Sequence, residues 1–253
     1  MASNRVNPFS IDHIVVNVDQ YYQTNQEFIK KVNDLKLPYR PEKGKETKGF
    51  KASNIWIGNE YFEFIHVKTA DGGGWINEWT NRYNAGHRGV IGIFLKTENI
   101  SEIVKQYKKF GITDPERIVF PFFFNLIKLS AKWQNAYLPF FRKSPFQLGF
   151  QQVDNEKIEK NFRKRMHPNS IDNGVTAIKT IKYFGPFGSE ELNQLKEAFV
   201  YIEKESGHLM IPLMNDQTIH FYISDNIKTE VELASDNHII PSLEIENLII
   251  MSE

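Results

Sequence analysis

Two polar side chains stand inside segments that otherwise read as buried strands. His13 lies in the short β-branched run Ile11–Val18 (IDHIVVNV), and Glu63 lies in Tyr61–Val67 (YFEFIHV). Side chains alternate along a strand, so His13 shares a face with Ile11 and Val15, and Glu63 with Tyr61 and Ile65. Polar groups on such faces need partners. An apolar strand also raises a carboxyl pKa, which makes Glu63 the carboxylate best suited to serve as a general base or a ligand. Several other chemistries are excluded. The chain has no cysteine, which rules out a disulfide framework, a thiolate metal site and a cysteine nucleophile. Gly185–Glu190 (GPFGSE) lacks the spacing of a nucleophile elbow around Ser189, and no Ser-His-Asp set or glycosidase-type carboxylate pair stands out. The glycine triplet of Asp71–Trp75 (DGGGW) is followed by neither Lys-Ser/Thr nor a helix start, so it reads as a loop or lid rather than a phosphate cradle.

The elements that must position these residues recur along the chain. After the first strand, Gln20–Leu35 carries Phe28, Ile29, Val32 and Leu35 on one helical stripe, closed by Pro38 and Pro41. Phe50–Ile57 and Tyr61–Val67 then form strands joined by a tight turn at Gly58-Asn59-Glu60. The same order returns with the strand Val90–Thr97, the amphipathic helix Ile100–Phe110 closed by Gly111, and strand-like segments near 117–120, 127–133 and 146–152. A third copy opens at Gly174, with a helix from Ser189 to Tyr201, Ser189 as its N-cap, and a hairpin turning at Asn215-Asp216. Leu243–Ile250 reads as a last strand in the tail. The organisation expected is therefore three units, at residues 10–70, 88–153 and 174–253, of which the third is partial.

Composition bounds the partners. At 253 residues the chain can bury a large core without cross-links. Lys+Arg and Asp+Glu are equal at 31 each, so the basic excess of a nucleic-acid binder is missing. The basic stretch Lys157–Arg165 is broken by Glu159 and reads as a solvated face. The most apolar window, Ile118–Leu129, is too short to span a bilayer and contains Pro121 and Lys128; it reads as core or as a pocket wall. The N-terminus has no basic segment followed by an apolar one, so the expectation is a cytoplasmic protein with no membrane partner.

The strand carrying His13, the following helix and the segment GFKASNIWIGNEYFEFIHV together resemble the vicinal-oxygen-chelate superfamily, and within it the glyoxalase-like group. His87-Arg88 before the second unit and His167-Pro168-Asn169 before the third fit the same pattern, over roughly residues 10–185. The resemblance implies an α+β fold of repeated βαβββ modules, forming half-open curved sheets around a cleft with the helices outside. It also implies a small-molecule substrate and a divalent metal (zinc, nickel, manganese or iron) held by side chains of two modules. A homodimer is a candidate assembly. Carried over, the first module supplies His13 and Glu63 as ligands or catalytic groups, with His167 helping. The second module departs from the pattern: Gly92 stands where a second histidine would, and its last strand offers Gln147, or in a shifted register Gln151. His220 of the third unit lies near the position matching Glu63 and is the alternative donor. Two functions follow, a glyoxalase-like lyase, isomerase or dioxygenase and a metal-free binding or sequestering protein of the same fold. The buried His/Glu pair favours the enzyme, and the gap at Gly92 favours the binder.

Overall fold

The computed structural model describes residues 6–122, 127–205, 207–236 and 239–252, the side chains of 119–122, 127–129 and 204–205 excepted. The reading of Ile118–Leu129 as core therefore falls largely outside the described residues. The first unit comprises β1 (Ser10–Asn17), α1 (Tyr21–Thr24), α2 (Gln26–Asp34), β2 (Lys45–Glu46), β3 (Phe50–Ile57) and β4 (Glu60–Val67). The helix expected over Gln20–Leu35 breaks at Asn25, which turns extended and accepts a hydrogen bond from the Phe28 N–H at 2.9 Å, capping α2. A helix not expected from the sequence, α3 (Asn77–Asn84), follows the glycine loop. The second unit has β5 (Gly89–Lys96), α4 (Ile100–Tyr107), β6 (Val119–Phe122), β7 (Ile127–Ser130), β8 (Trp133–Tyr137) and β9 (Gln147–Val153), and α5 (Glu156–Arg163) leads out of it.

The C-terminal part holds β10 (Val175–Gly185), α6 (Ser189–Ala198), β11 (Ile202–Glu205), β12 (His208–Pro212), β13 (Thr218–Ile223), β14 (Lys228–Ser235), β15 (Leu243–Ile245) and β16 (Leu248–Ser252). Gly188, rather than Ser189, precedes α6 as its cap, with its N–H held by Glu191 at 2.7 Å. Asn215 and Asp216 both take positive φ in the β12–β13 turn, as a tight hairpin with right-handed twist requires.

Two seven-stranded mixed sheets result, ordered β2-β3-β4-β1-β5-β9-β8 and β11-β12-β13-β10-β14-β16-β15. The second repeats the first strand for strand. In each, two leading strands pair antiparallel at the centre (β1 with β5, β10 with β14) and each has the last strand of its own unit parallel beside it. The tail β14–β16 thus forms a fourth unit, reduced to three strands without a helix. One of the two sheets is a curled half-barrel, and the fold class is the α+β type expected.

One apolar core lies behind both sheets. Ile14, Val16, Phe62 and Phe64 enter it from the first, and Ile181, Tyr183, Phe221 and Val231 from the second. Helices α2, α4 and α6 add Phe28, Val32, Ile103, Tyr107, Leu192 and Leu195 to it. These three helices therefore sit on the sheet faces away from His13. No helix among the described residues is long and apolar enough to cross a membrane.

The sheets are joined by a reciprocal polar exchange. Both central strands carry a bulge, between Ile11 and His13 in β1 and between Ile178 and Thr180 in β10. Glu60, just before Tyr61, accepts the Ile178 N–H at 3.0 Å, while Gln217, just before Thr218, accepts the Ile11 N–H at 2.7 Å. Gln217 also donates to Glu60 at 3.3 Å and to the Ile178 carbonyl at 2.9 Å. Glu60 is 7% exposed. Burial pushes its pKa up to about 7, against the lowering effect of the Ile178 and Gln217 hydrogen bonds. A carboxyl raised in this way adds stability that is complete below its ordinary value of 4.5 and lost as the pH climbs through 7. Relative to Glu60→Gln, the wild-type protein should lose about 3 kcal/mol of unfolding free energy between pH 4.5 and 8. Urea titrations of both proteins across that range measure the difference, and parallel curves would contradict it.

Candidate active site

The side chains of interest lie on the first sheet's other, concave face. Register pairs His13 with Tyr61 and Val15 with Glu63 across β1 and β4, so all four share one face. Across β5 the same face continues through Phe94, opposite His13, and Gly92, opposite Val15. On β3, Asn54 stands opposite Glu63 and Trp56 opposite Tyr61. His13 and Glu63 are thus diagonal neighbours on adjacent strands, a relation that places Cα atoms about 7–8 Å apart. A small molecule between them can touch both.

His13 is rigidly held. Its ring is 4.6 Å from that of Tyr61 and 4.3 Å from that of Phe94, nearly parallel to both. Its Nδ1 is 2.8 Å from Asp12 Oδ1, and the same oxygen accepts a hydrogen bond from Gln151 Nε2 at 3.1 Å. The β1 bulge makes this possible, because it turns Asp12 to the side of its neighbour. Arg163 of α5 stands 3.7 Å from Asp12 Oδ2 and also reaches the Asn59 carbonyl and Glu159. Burial pushes the Asp12 carboxyl up, but the His13 hydrogen bond and the charges of His13, Arg163 and Lys96 outweigh it and hold the pKa below its ordinary value. An ionised Asp12 fixes the proton of His13 on Nδ1 and leaves Nε2 free to act.

Glu63 is half-buried, and its carboxyl has no hydrogen-bond or ion-pair partner among the described residues. Burial raises its pKa, opposed by the charges of His13 and Lys45. Two helices close the ends of this face. Trp79 and Tyr83 of α3 pack with Val15, Ile65 and Phe94 at one end. At the other, Phe162 of α5 lies against Trp56 and Trp133. The glycine loop turns at Gly72–Gly74 and delivers Trp75 onto Phe50 and Trp79.

The remaining candidates are placed elsewhere or are already engaged. Gln147 stands opposite Gly92, where Tyr61 stands opposite His13, so it matches Tyr61 rather than Glu63. Its amide is fully used, accepting from Trp79 Nε1 and donating to the Leu138 carbonyl, both at 2.7 Å. The counterpart of Glu63 is Gly149, which faces Phe94 as Glu63 faces Val15. His220 does correspond to Glu63 in its own sheet, since Lys182 opposite it matches Val15 when the two bulges are aligned. That sheet turns its free face the other way, and His220 there bonds His208 at 2.9 Å and Thr218 at 3.1 Å. The shared core separates it from His13. His167 is exposed, lining a small pocket with Asn54 and Trp56 at the edge of the concave face. His87 is held at the Val90 carbonyl, 3.2 Å away, and burial lowers its pKa to about 4.

The implied metal can be tested against these donors. The first unit offers one imidazole nitrogen and one carboxylate. At the matching positions of the second unit there is no donor: a Cβ on Gly92 would meet the Trp79 ring at 3.0 Å, and one on Gly149 the Phe94 ring at 2.7 Å. Aromatic rings fill the space of the missing pair. No cluster of three or more His, Cys, Asp or Glu able to hold an ion occurs among the described residues. The residues present therefore do not fit a four-coordinate protein site.

Solved structures share this fold at low sequence identity, and at the level of architecture they agree with the resemblance read from the sequence. A hypothetical protein from Staphylococcus aureus superposes over 98% of this chain and 99% of its own, with a TM-score of 0.70 at 15% identity. 4-Hydroxymandelate synthase from Streptomyces coelicolor matches over 89% of this chain and 71% of its own, with a TM-score of 0.51 at 8% identity. Methylmalonyl-CoA epimerase from Mycobacterium tuberculosis covers 62% of this chain at a TM-score of 0.39 and 7% identity. The sequence matches no protein-family model and no curated protein.

Removing Asp12 leaves Arg163 facing an empty site and His13 without its anchor. Asp12→Ala should cost about 3 kcal/mol of stability, the usual penalty for breaking a buried charged pair. It should also scramble the His13 tautomer, read from imidazole ¹⁵N shifts. Unchanged stability together with an unchanged tautomer would show that Asp12 does not hold the ring.

Proposed function

We propose that the concave face of the first sheet is a glyoxalase-like active site that moves a proton on a small oxygenated substrate. The observation that carries this reading is the contrast between its two polar groups. His13 is anchored on three sides, and Glu63, beside it, is left without a partner in an apolar setting. Glu63 then acts as the base, removing a proton from a carbon next to a carbonyl. The electron pair passes to the carbonyl oxygen, which becomes negative. His13, its Nδ1–H held by Asp12, donates from Nε2–H to that oxygen. Return of the proton from Glu63 to the same carbon, as the enol O–H gives its proton back to His13 Nε2, completes an epimerisation. Return to the adjacent carbon, as a hydroxyl on the first carbon gives its proton to His13 Nε2, completes an isomerisation, and either course regenerates both groups. No metal takes part in these steps, because the donor set does not fit one.

The packing of Trp79 and Phe94 over Gly92 and Gly149 supports a second reading, a metal-free binder whose apolar face holds a ligand without turnover. The two readings separate on exchange chemistry. Substrate candidates with an acidic C–H beside a carbonyl, incubated in D₂O, should exchange that hydrogen with the wild-type protein. The rate should rise as Glu63 ionises, at a pH above the ordinary carboxyl value because its pKa is raised. Glu63→Gln should slow exchange by about 10²–10⁴-fold without lowering the melting temperature. Binding without exchange in the wild type would hand the site to the binding reading.

A further inference from the structure

A second feature opens onto the same face. Between the strap running from Pro38 to Gly44, strand β3 and the His167-Pro168 turn lies a pocket of about 40 Å³. This is little more than the ~30 Å³ share of one water, room for a single small group. Its donors are Arg40, Lys43, Asn54 and His167. The side chains of Arg40, Lys43 and His167 make no hydrogen bond or ion pair among the described residues, and Glu42, between the two cations in sequence, pairs with neither. The Asn54 amide also has no partner there, and its Oδ1 is buried.

Two exposed cations are ordinarily a solvated surface. Here the backbone has been shaped around them. The strap lies so close to β3 that a Cβ on Gly44 would run into the Ala52 carbonyl. Pro38 and Pro168 stiffen two walls, Pro41 opens the 3₁₀ turn that presents Lys43, and Trp56, packed at a tilt on Tyr61, lines the pocket. An unpartnered buried amide inside such a pocket is a cost that is relieved when the amide turns its NH₂ toward a bound oxygen.

We propose that this pocket is a subsite for an oxyanionic group, a carboxylate or phosphate, on the molecule handled at Glu63 and His13. Arg40 offers a planar fork for two oxygens, Lys43 a point charge, and Asn54 and His167 further donors. The location fits. Asn54 is directly opposite Glu63, so with strands about 4.8 Å apart the subsite is one strand, about 5 Å, from the Glu63 row and two strands, about 10 Å, from the His13 row. Lys45, on the same edge, offsets repulsion between the bound anion and the Glu63 carboxylate. The anion site itself stands on its own donors; only its role as part of a substrate site rests on the proton-transfer reading.

Calorimetric titration of the full chain with inorganic phosphate and with succinate, in low-chloride buffer, tests it. One saturable site is expected for at least one of the two, and the tighter one assigns the class. Arg40→Gln with Lys43→Gln should weaken it at least tenfold. The control Lys105→Gln with Lys108→Gln, on exposed positions of α4 and of the turn that follows it, should change it by less than twofold. Glu63→Gln should retain or tighten anion binding even though it slows exchange, so failure of the acid–base reading leaves this result standing. Absence of saturable binding by both anions, or equal losses in the pocket variant and the control, would overturn the proposal.

Discussion

Two sheets that share one apolar core must turn their free faces in opposite directions, and most of what this protein can do follows from that. Each strand has one side committed to the core through Ile14, Val16, Phe62 and Phe64, or Ile181, Tyr183 and Phe221. The exchange between Glu60 and Gln217 fixes the sheets to each other at their bulges, so the arrangement cannot slide without leaving buried N–H groups unpaired. Residues on the two free faces cannot meet. His220 and Glu63 occupy matching positions, yet they belong to separate surfaces with different fates. The second sheet's face carries the ion pairs Lys182–Glu232 and Lys228–Glu230. The first sheet's face is closed at both ends by α3 and α5, and its polar groups are desolvated there.

The two units of the first sheet place different residues at equivalent positions, and this makes the concave face lopsided. The antiparallel pairing of β1 with β5 relates the first two units so that His13 answers to Gly92, Val15 to Phe94 and Glu63 to Gly149. Where one unit has a donor, the other has a glycine with an aromatic ring over it. The rings serve the surviving half, since Phe94 is one of the two plates that hold His13, and Trp79 occupies the Gln147 amide. The result is a one-sided site backed by an aromatic wall.

Much of this was legible from residue pattern, and the failures have physical causes. The strands bearing His13 and Glu63, their shared inner face and the Gly92 gap all follow from period-two alternation and the recurrence of units. Gln147 was mistaken for the counterpart of Glu63 because a two-residue offset preserves the face and so leaves no trace in the alternation. Asp12 escaped notice for the opposite reason: alternation puts it on the core side, and only the bulge, created by tertiary pairing, returns it to His13. Helix α3 was missed because Asn77–Asn84 is short and polar, and it is stabilised by burying Trp79 and Tyr83 rather than by its own periodicity. The fourth unit lacked the helix that made the others recognisable.

Three buried or half-buried carboxyl groups within one sheet show how neighbours decide what a carboxylate is for. Asp12 has a histidine, an amide and an arginine around it, and its pKa falls although burial works against that. Glu60 accepts two hydrogen bonds from neutral donors, yet its pKa rises to about 7, so neutral donors do not offset desolvation where no cation touches the group. Glu63 has neither, and only the charges of His13 and Lys45 restrain the effect of burial. Asp12 can therefore orient but not exchange a proton near neutrality, and Glu60 is occupied in joining the sheets. Glu63 alone combines a raised pKa, a free carboxyl and an open direction toward His13. A fold that leaves such a group unsatisfied forgoes stability at that point, and sites of that kind are where function is to be sought.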